Sequence, residues 1–383
     1  MRRSAVTDPY WPWRHLPCLR IFAAGLLLLL FSNDVPRAQA QDAVLNPPGG
    51  IDGQGIGKSI DTSASADGPL IIPDFRNAMR NMVMSLGEYA HTRKGSFVVL
   101  VRNGIDLLMK SEREAKIEQM EFAEKKGPVP LKPEPAGTIN RRFVRSIDGL
   151  VIDGQFCENE AIMSDAFVDM LHGLGLNIVT VDHCVHLASA KRAYQEAHAQ
   201  GIIAHADAGT GPLITPKGPL LPANTPHAVQ SIADAKTALF IDGNSAAGSK
   251  ELWVLQLQDN NYDVLVIDPF WRDRVPLSID DIEALRFKKT GARRLVLARL
   301  NISQARDTSF YWNKDWTVGR PSWITGPLPD TPGQYHVAYW ENPWRDIVGK
   351  MFSGTMELGF DGIVLEGSGA YAALESEIFI KTP

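Results

Sequence analysis

The sequence predicts an α/β protein folded as a single (β/α)8 barrel, and three observations carry that prediction. Short apolar runs of strand length alternate with helical segments along most of the 383 residues, the pattern of parallel strands joined by helical crossovers. The strand-like runs number eight, and eight parallel strands with intervening helices in a chain of this size fit a closed barrel. No Gly-x-Gly-x-x-Gly loop follows any of them, which disfavours the alternative, a doubly wound open sheet.

Taken in order, Phe75 to Tyr89 spaces its apolar residues as an amphipathic helix. Ser96–Val101 reads as a buried strand ending at Arg102-Asn103-Gly104, and the charged stretch Lys110–Lys126 as a solvated helix. The strand Gly149–Ile152 precedes a helix from about Ala161 to Leu174. A strand at Asn177–Asp182, a helix at Ser189–Gln200 and a strand at Gly201–His205 complete the first half. From Ala208 to about Lys250 the pattern breaks into Gly and Pro, the composition of a linker or surface excursion. Alternation resumes with strands at Leu252–Leu257 and Asp263–Asp268, a helix at Ile279–Lys289 and a strand at Arg294–Arg299. An aromatic-rich insertion covers Phe310–Trp344, a helix spans about Pro343–Leu358, and Gly359–Glu366 is the last strand.

The ends of the chain and its composition bound the function. Arg2, Arg3, Arg14 and Arg20 precede the apolar run Ile21–Phe31, and Ala38-Gln39-Ala40 offers a small-x-small cleavage site. That is the layout of a secretory signal peptide over residues 1–40, with an apolar core short for a membrane span. Residues 41–68 read as a disordered lead-in. The expected mature protein is secreted or periplasmic, with no membrane association after cleavage. Its roughly 340 residues suffice for one large α/β domain or two smaller ones. With 39 basic against 44 acidic side chains and no basic stripe, the chain lacks a nucleic-acid footprint.

The chemistry concentrates at two strand ends. In Asp361-Gly362-Ile363-Val364-Leu365-Glu366 and Asp148-Gly149-Leu150-Val151-Ile152-Asp153, Asp-Gly opens three apolar residues and an acid closes them. On a barrel, acids at C-terminal strand ends line the catalytic mouth. Glu366 and Asp153 close strands that are cyclically alternate, so both can point inward from one layer and supply a carboxylate pair for acid/base chemistry. An acid at such a junction is also a common helix N-cap, and both roles stay open here. Asp268 and Asp182 likewise end strands; His205 and Asp207 read as a buried pair. Cys157 and Cys184 follow the ends of adjacent strands and are candidates for a disulfide bracing the mouth, with two free buried thiols as the alternative. Trp271, Tyr311, Trp312, Trp316, Trp323, Tyr335, Tyr339, Trp340 and Trp344 are dense enough to include sugar-stacking surfaces, although most suit loop packing.

Several of these segments resemble glycoside hydrolase family 114-like proteins, the group of endo-α-1,4-polygalactosaminidases and their exported relatives. Asp263–Asp268, Arg294–Arg306, Phe310-Tyr311-Trp312, Tyr335–Trp340 and Gly359–Glu366 look like the N-terminal half of that family. Phe97–Gly104, Ile147–Asp153, Val179–Asp182 and Gly201–Ala206 look like its C-terminal half. The order is reversed, which implies a circularly permuted TIM barrel spanning 69–383, with half-barrels 69–207 and 250–383 joined by the linker 208–249. A closed barrel permits this, because its first and last strands are neighbours.

The resemblance implies the same two carboxylate positions, where the family typically has Asp at Glu366 and Glu at Asp153. An acid-rich segment of relatives is replaced by Ser303-Gln304-Ala305-Arg306, and Arg102 stands where relatives often carry Gln. The expectation is an exported hydrolase of O-glycosyl bonds in a polysaccharide or oligosaccharide, galactosamine-containing or acidic. Asp153 and Glu366 are its catalytic pair. Arg102, Asn103, Asp182, Asp268, Trp271, Asn301, Gln304, Trp312 and Tyr371 bind substrate, and neither metal nor organic cofactor is required. The rival is a non-hydrolytic carbohydrate-binding barrel.

Overall fold

A computed structural model describes residues 74–124, 133–158, 161–208, 227–241 and 247–377. The expected signal peptide and lead-in lie outside the described residues. Eight parallel strands form one sheet: β1 (Val98–Arg102), β2 (Gly149–Asp153), β3 (Asn177–Cys184), β4 (Ile203–Ala208), β5 (Ala238–Phe240), β6 (Val264–Ile267), β9 (Leu295–Asn301) and β13 (Gly362–Glu366). Their order is β4-β3-β2-β1-β13-β9-β6-β5. A parallel bridge between Ala204 and Thr237 nearly closes the sheet on itself into a TIM-like barrel. Small antiparallel pieces lie between the later strands: β7 (Phe270–Trp271) with β8 (Val275–Pro276), and β10 (Gln304–Arg306), β12 (Gln334–Val337) and β11 (Ile324–Pro327).

The helices of the framework are α1 (Phe75–Arg93), α2 (Glu112–Glu124), α3 (Arg141–Ser146), α4 (Asp165–Gly173), α5 (Leu187–Ala199), α6 (Lys250–Gln258), α7 (Ile279–Leu285), α8 (Asn342–Glu357) and α9 (Tyr371–Glu377). Ser164, Ser249 and Ser278 each accept a backbone N–H of the following turn, capping α4, α6 and α7. Among the described residues no helix is long and apolar enough to cross a membrane.

Two strand assignments differ from the sequence reading. Leu252–Leu257 lies in α6 rather than in a strand. Trp253, Val254 and Leu257 are buried while Leu252 and Leu255 face solvent, a helical spacing that a crowded apolar run conceals. The fifth strand is Ala238–Phe240, inside the stretch read as linker.

Strand parity sorts the interior. Val98 and Leu100 of β1, Val151 of β2, Val179 and Val181 of β3, Ile203 of β4, Phe240 of β5, Val266 of β6, Leu297 of β9 and Val364 of β13 pack together inside the sheet. Val229, Ile232 and Ala235 join them, filling the end where the strands begin. Residues of opposite parity, such as Val99, Ile152 and Ile363, pack against the helices.

The Asp-Gly openings of the two similar strands have a structural explanation. The Asp148 carboxylate accepts the Val99 N–H of neighbouring β1 at 2.7 Å, and Asp361 accepts that of Val296 on β9 at 3.0 Å. Asp263, just before β6, does the same for Lys236 and Thr237 at the entry to β5. Each aspartate therefore pins a neighbouring strand's register, satisfying N–H groups that would otherwise be orphaned at the sheet's start. The glycines admit close backbone approach: a Cβ on Gly362 would lie 2.4 Å from the Val98 carbonyl oxygen, and one on Gly149 2.2 Å from that of Asn177. Gly362→Ala is expected to destabilise the fold by about 1–3 kcal/mol in urea denaturation, because backbone has to move to admit a methyl group.

Candidate active site

Because side chains alternate along a strand, the residues that follow the inner apolar layers also point inward. Those residues are Arg102 on β1, Asp153 on β2, His183 on β3, Asp207 on β4, Asp268 after β6, Arg299 and Asn301 on β9, and Glu366 on β13. The C-terminal mouth is thus built on ionisable groups above an apolar floor.

Arg102 is the hub. Its Nε lies 3.0 Å from both oxygens of Asp153, and its Nη1 lies 2.8 Å from Glu366 Oε1. Arg299 adds a second clamp on Glu366, with Nε and Nη2 at 3.1 and 3.2 Å, and its Nη1 donates to the Ile241 carbonyl at 2.8 Å. Asn103 donates to Asp153 from Nδ2 at 2.9 Å. It holds the left-handed conformation with φ 53°, which Asn tolerates better than most residues. Two carboxylates within 3.0 Å of one guanidinium cannot be further apart than the roughly 9.5 Å that glycosidase pairs span at most. The structure brings Asp153, Glu366, Arg102 and Asn103 into one cluster.

Burial pushes the Glu366 carboxyl up, but the guanidiniums of Arg299 and Arg102 outweigh it and hold the group below the usual glutamate value. Asp268 moves the other way. Burial raises it to about 6, with Arg299 and Arg306 pulling down and Asp273 and Glu366 adding to the rise.

Two cavities meet at Gln304. One, of about 530 Å³, runs from Arg102 and Asn103 past Gly367, Ser368 and Gly369 to His336 and Trp340. The other, of about 60 Å³, is lined by Asp268, Asp273, Arg299, Arg306, Tyr311 and Glu366, among others. Gly367 is required between them: its φ is +82°, and a Cβ there would sit 2.2 Å from Ser303 Oγ. Asn301 donates to Gln304 at 3.0 Å and accepts from the Ser303 N–H, fixing the turn into β10. Among the described residues no three His, Cys, Asp or Glu side chains converge as metal ligands would.

Four expected substrate contacts have other surroundings. Asp182 has outward parity and is fully buried, accepting the N–H groups of Phe156 and Cys157 at 2.6 and 3.2 Å. It braces the loop after β2, where a glycan has no access. Tyr371 is 3 % exposed beneath the Arg76 guanidinium, which stacks 4.5 Å from its ring centroid, and burial raises its hydroxyl to about 12. Trp312 stacks on Tyr335 with centroids 4.9 Å apart and meets Trp316 edge-on. Trp271 carries the Arg272 guanidinium over its face at 4.4 Å. Cys157 and Cys184 form a disulfide with Cα atoms 5.1 Å apart.

Two components escaped the sequence reading. Arg299 was visible only as the end of a strand, and His183 was not singled out. His183 Nδ1 lies 2.8 Å from Asp207 Oδ1, so Asp207 pairs with His183 rather than with His205. Continuing the period of two past Leu295 and Leu297, or past Val179 and Val181, would have placed both side chains inward.

No protein-family model matches the chain. It is 29 % identical over 163 residues to an uncharacterized protein of Deinococcus radiodurans, covering 43 % of this chain and 50 % of that one. An uncharacterized protein of Thermotoga maritima is 29 % identical over 143 residues, 33 % of this chain and 43 % of its own. One of Methanocaldococcus jannaschii is 31 % identical over 147 residues, 36 % and 41 % respectively. The chain spans half or less of the length of these relatives, and what it shares with them is a segment of about half-barrel length.

Proposed function

We propose that this protein is a glycoside hydrolase of the family 114-like type, cleaving O-glycosyl bonds of a polysaccharide at the C-terminal mouth of its barrel. The observation that carries the reading is the pair of carboxylates, Asp153 and Glu366, held on one guanidinium at the ends of alternate strands. Glu366, kept ionised by Arg299 and Arg102, is suited to act as nucleophile or to activate water. Asp153, its oxygens taken by Arg102 and Asn103, fixes the hub that positions Glu366. Gln304 and Asn301, between the two cavities, supply neutral hydrogen-bonding groups to sugar hydroxyls.

Circular permutation and export belong to the same proposal. A collinear comparison between permuted chains breaks at the junction, and the matched segments cover at most half of each chain. The Cys157–Cys184 disulfide suits an oxidising compartment, as does the signal-like N-terminal sequence.

The test is to incubate the protein with de-N-acetylated galactosaminan and with polygalacturonate and to follow new reducing ends. Glu366→Gln is expected to lower the release at least about 10²-fold, the low end of what a positioned ionisable group contributes. Polymer binding without release, unchanged in Glu366→Gln, would instead establish the non-hydrolytic binding barrel. The guanidinium-paired acids would then be read as ligand-orienting groups.

A further inference from the structure

The site as described has an ionised carboxylate but no proton donor. Asp153 is less well placed for that role: Arg102 Nε approaches both of its oxygens and Asn103 Nδ2 one of them, so donors already engage both oxygens of a side chain that is 37 % exposed. We infer that Asp268 is the general acid of this site, protonating the leaving-group oxygen at the mouth that it shares with Glu366. This inference rests on the glycosidase reading above.

The geometry singles Asp268 out. It stands at the end of β6, one strand from β9, whose Arg299 clamps Glu366 on the strand beyond. Asp268 and Glu366 therefore flank Arg299 and line the same cavity. Pro269, Phe270, Phe310 and Tyr311 make up much of the apolar part of that cavity's mixed lining, a part that favours a neutral carboxylic acid. No hydrogen-bonded cation holds its carboxylate among the described residues.

The charged groups facing it are Arg299 on β9, Arg306 on β10, Asp273 in the β7–β8 turn and Glu366 on β13. Both cations are bound to other acids, Arg299 to Glu366 and Arg306 to Asp273 at 3.3 Å. Two neighbouring carboxyls with opposite environments, one burdened by burial and one relieved by guanidiniums, are the arrangement that separates acid from base.

The step balances without a further reactant. The glycosidic C–O bond breaks with its electron pair on the leaving oxygen, which takes the Asp268 proton. One water supplies its hydroxyl to the anomeric carbon, and its remaining proton passes through the carboxylates and returns Asp268 to its acid form.

Two measurements test the assignment, the first without substrate. In protein carrying carboxyl-13C aspartate, the Asp268 signal, identified by its loss in Asp268→Asn, is expected to titrate near 6. It should move to lower pH in Glu366→Gln, because a neighbouring negative charge is removed. A midpoint in the ordinary aspartate range overturns the assignment. In the second, reducing-end release from galactosaminan or polygalacturonate is expected to fall as pH rises past about 6. Asp268→Asn should lower it about 10²–10⁴-fold and abolish that alkaline fall, while Asp268→Glu restores part of the rate. On 2,4-dinitrophenyl glycosides, whose leaving group needs no proton, Asp268→Asn should lose less than about tenfold, well under the contribution of a general acid. An alkaline fall unchanged in Asp268→Asn overturns this assignment alone; no release by the wild type from any of these compounds overturns it together with the glycosidase reading.

Discussion

Replacing Arg102 with Met is expected to lower folding stability by about 3 kcal/mol at pH 7, the low end for removing one partner of a buried ion pair. The low end applies because the side chains of Arg102, Glu366 and Asp153 are 18 %, 13 % and 37 % exposed. The loss should depend on pH with a definite sign. Glu366 has a folded-state pKa below its ordinary value of 4.5, so its pairing stabilises the fold above that value and ceases to do so as pH falls through the folded pKa. The gap between wild type and Arg102→Met in urea denaturation should therefore narrow in acid. A double-mutant cycle with Glu366→Gln isolates the pair: Arg102→Met introduced together with Glu366→Gln should cost distinctly less than Arg102→Met in the wild type. Equal costs in the two backgrounds would mean that Arg102 is held mainly by Asp153.

Asp268→Asn is expected to do the opposite for stability while removing activity. Asp268 is raised from 3.8 to about 6 in the folded state. A carboxyl raised in this way does not oppose folding below its unfolded pKa, and opposes it increasingly as pH rises through the folded value. The difference corresponds to at most about 3 kcal/mol, and partial exposure of the side chain reduces it to about 2 kcal/mol. The substituted amide has no charge to bury, so the variant should be more stable than wild type by that amount at pH 8 and indistinguishable from it near pH 4. Thermal or urea denaturation at the two pH values decides the matter. A residue that weakens the fold at neutral pH while serving the proposed proton transfer is the expected mark of a functional group kept against stability.

How much of this was legible in the sequence follows from particular residues. Seven of the eight strands could be read because parallel strands buried on both faces are continuous apolar runs. The eighth, Ala238–Phe240, is three residues long and sits next to Gly- and Pro-rich sequence that gives no periodic signal. Leu252–Leu257 misled for the converse reason, since Trp253, Val254 and Leu257 bury one face of a helix while Leu252 and Leu255 remain apolar and exposed. The acids closing Asp148–Asp153 and Asp361–Glu366 were visible as a repeat, and the structure brings them together. The aspartates opening the same repeats turned out to hold strand register instead of chemistry. Asp182 shows the limit of reading acids at strand ends: one step of parity turns a carboxylate from the mouth to the helical layer. The guanidinium hub was not legible, because nothing local in the sequence says that Arg102 and Arg299, on strands flanking β13, reach the same Glu366.

The near-closure between β4 and β5 has a consequence of its own. Seven of the strand contacts are ladders, whereas among the described residues β4 meets β5 through the Ala204–Thr237 bridge and the Ala204 N–H donating to the Lys236 carbonyl at 3.2 Å. Among the described residues that seam is where the wall has the fewest bonds to lose, so local opening of the barrel is expected to start between β4 and β5. The carboxylate cluster sits on the far side of the ring, on β2, β1, β13 and β9, where every neighbour is continuously laddered. Breathing at the seam and rigidity at the carboxylates are thus properties of one nearly closed sheet, set by where its two ends meet.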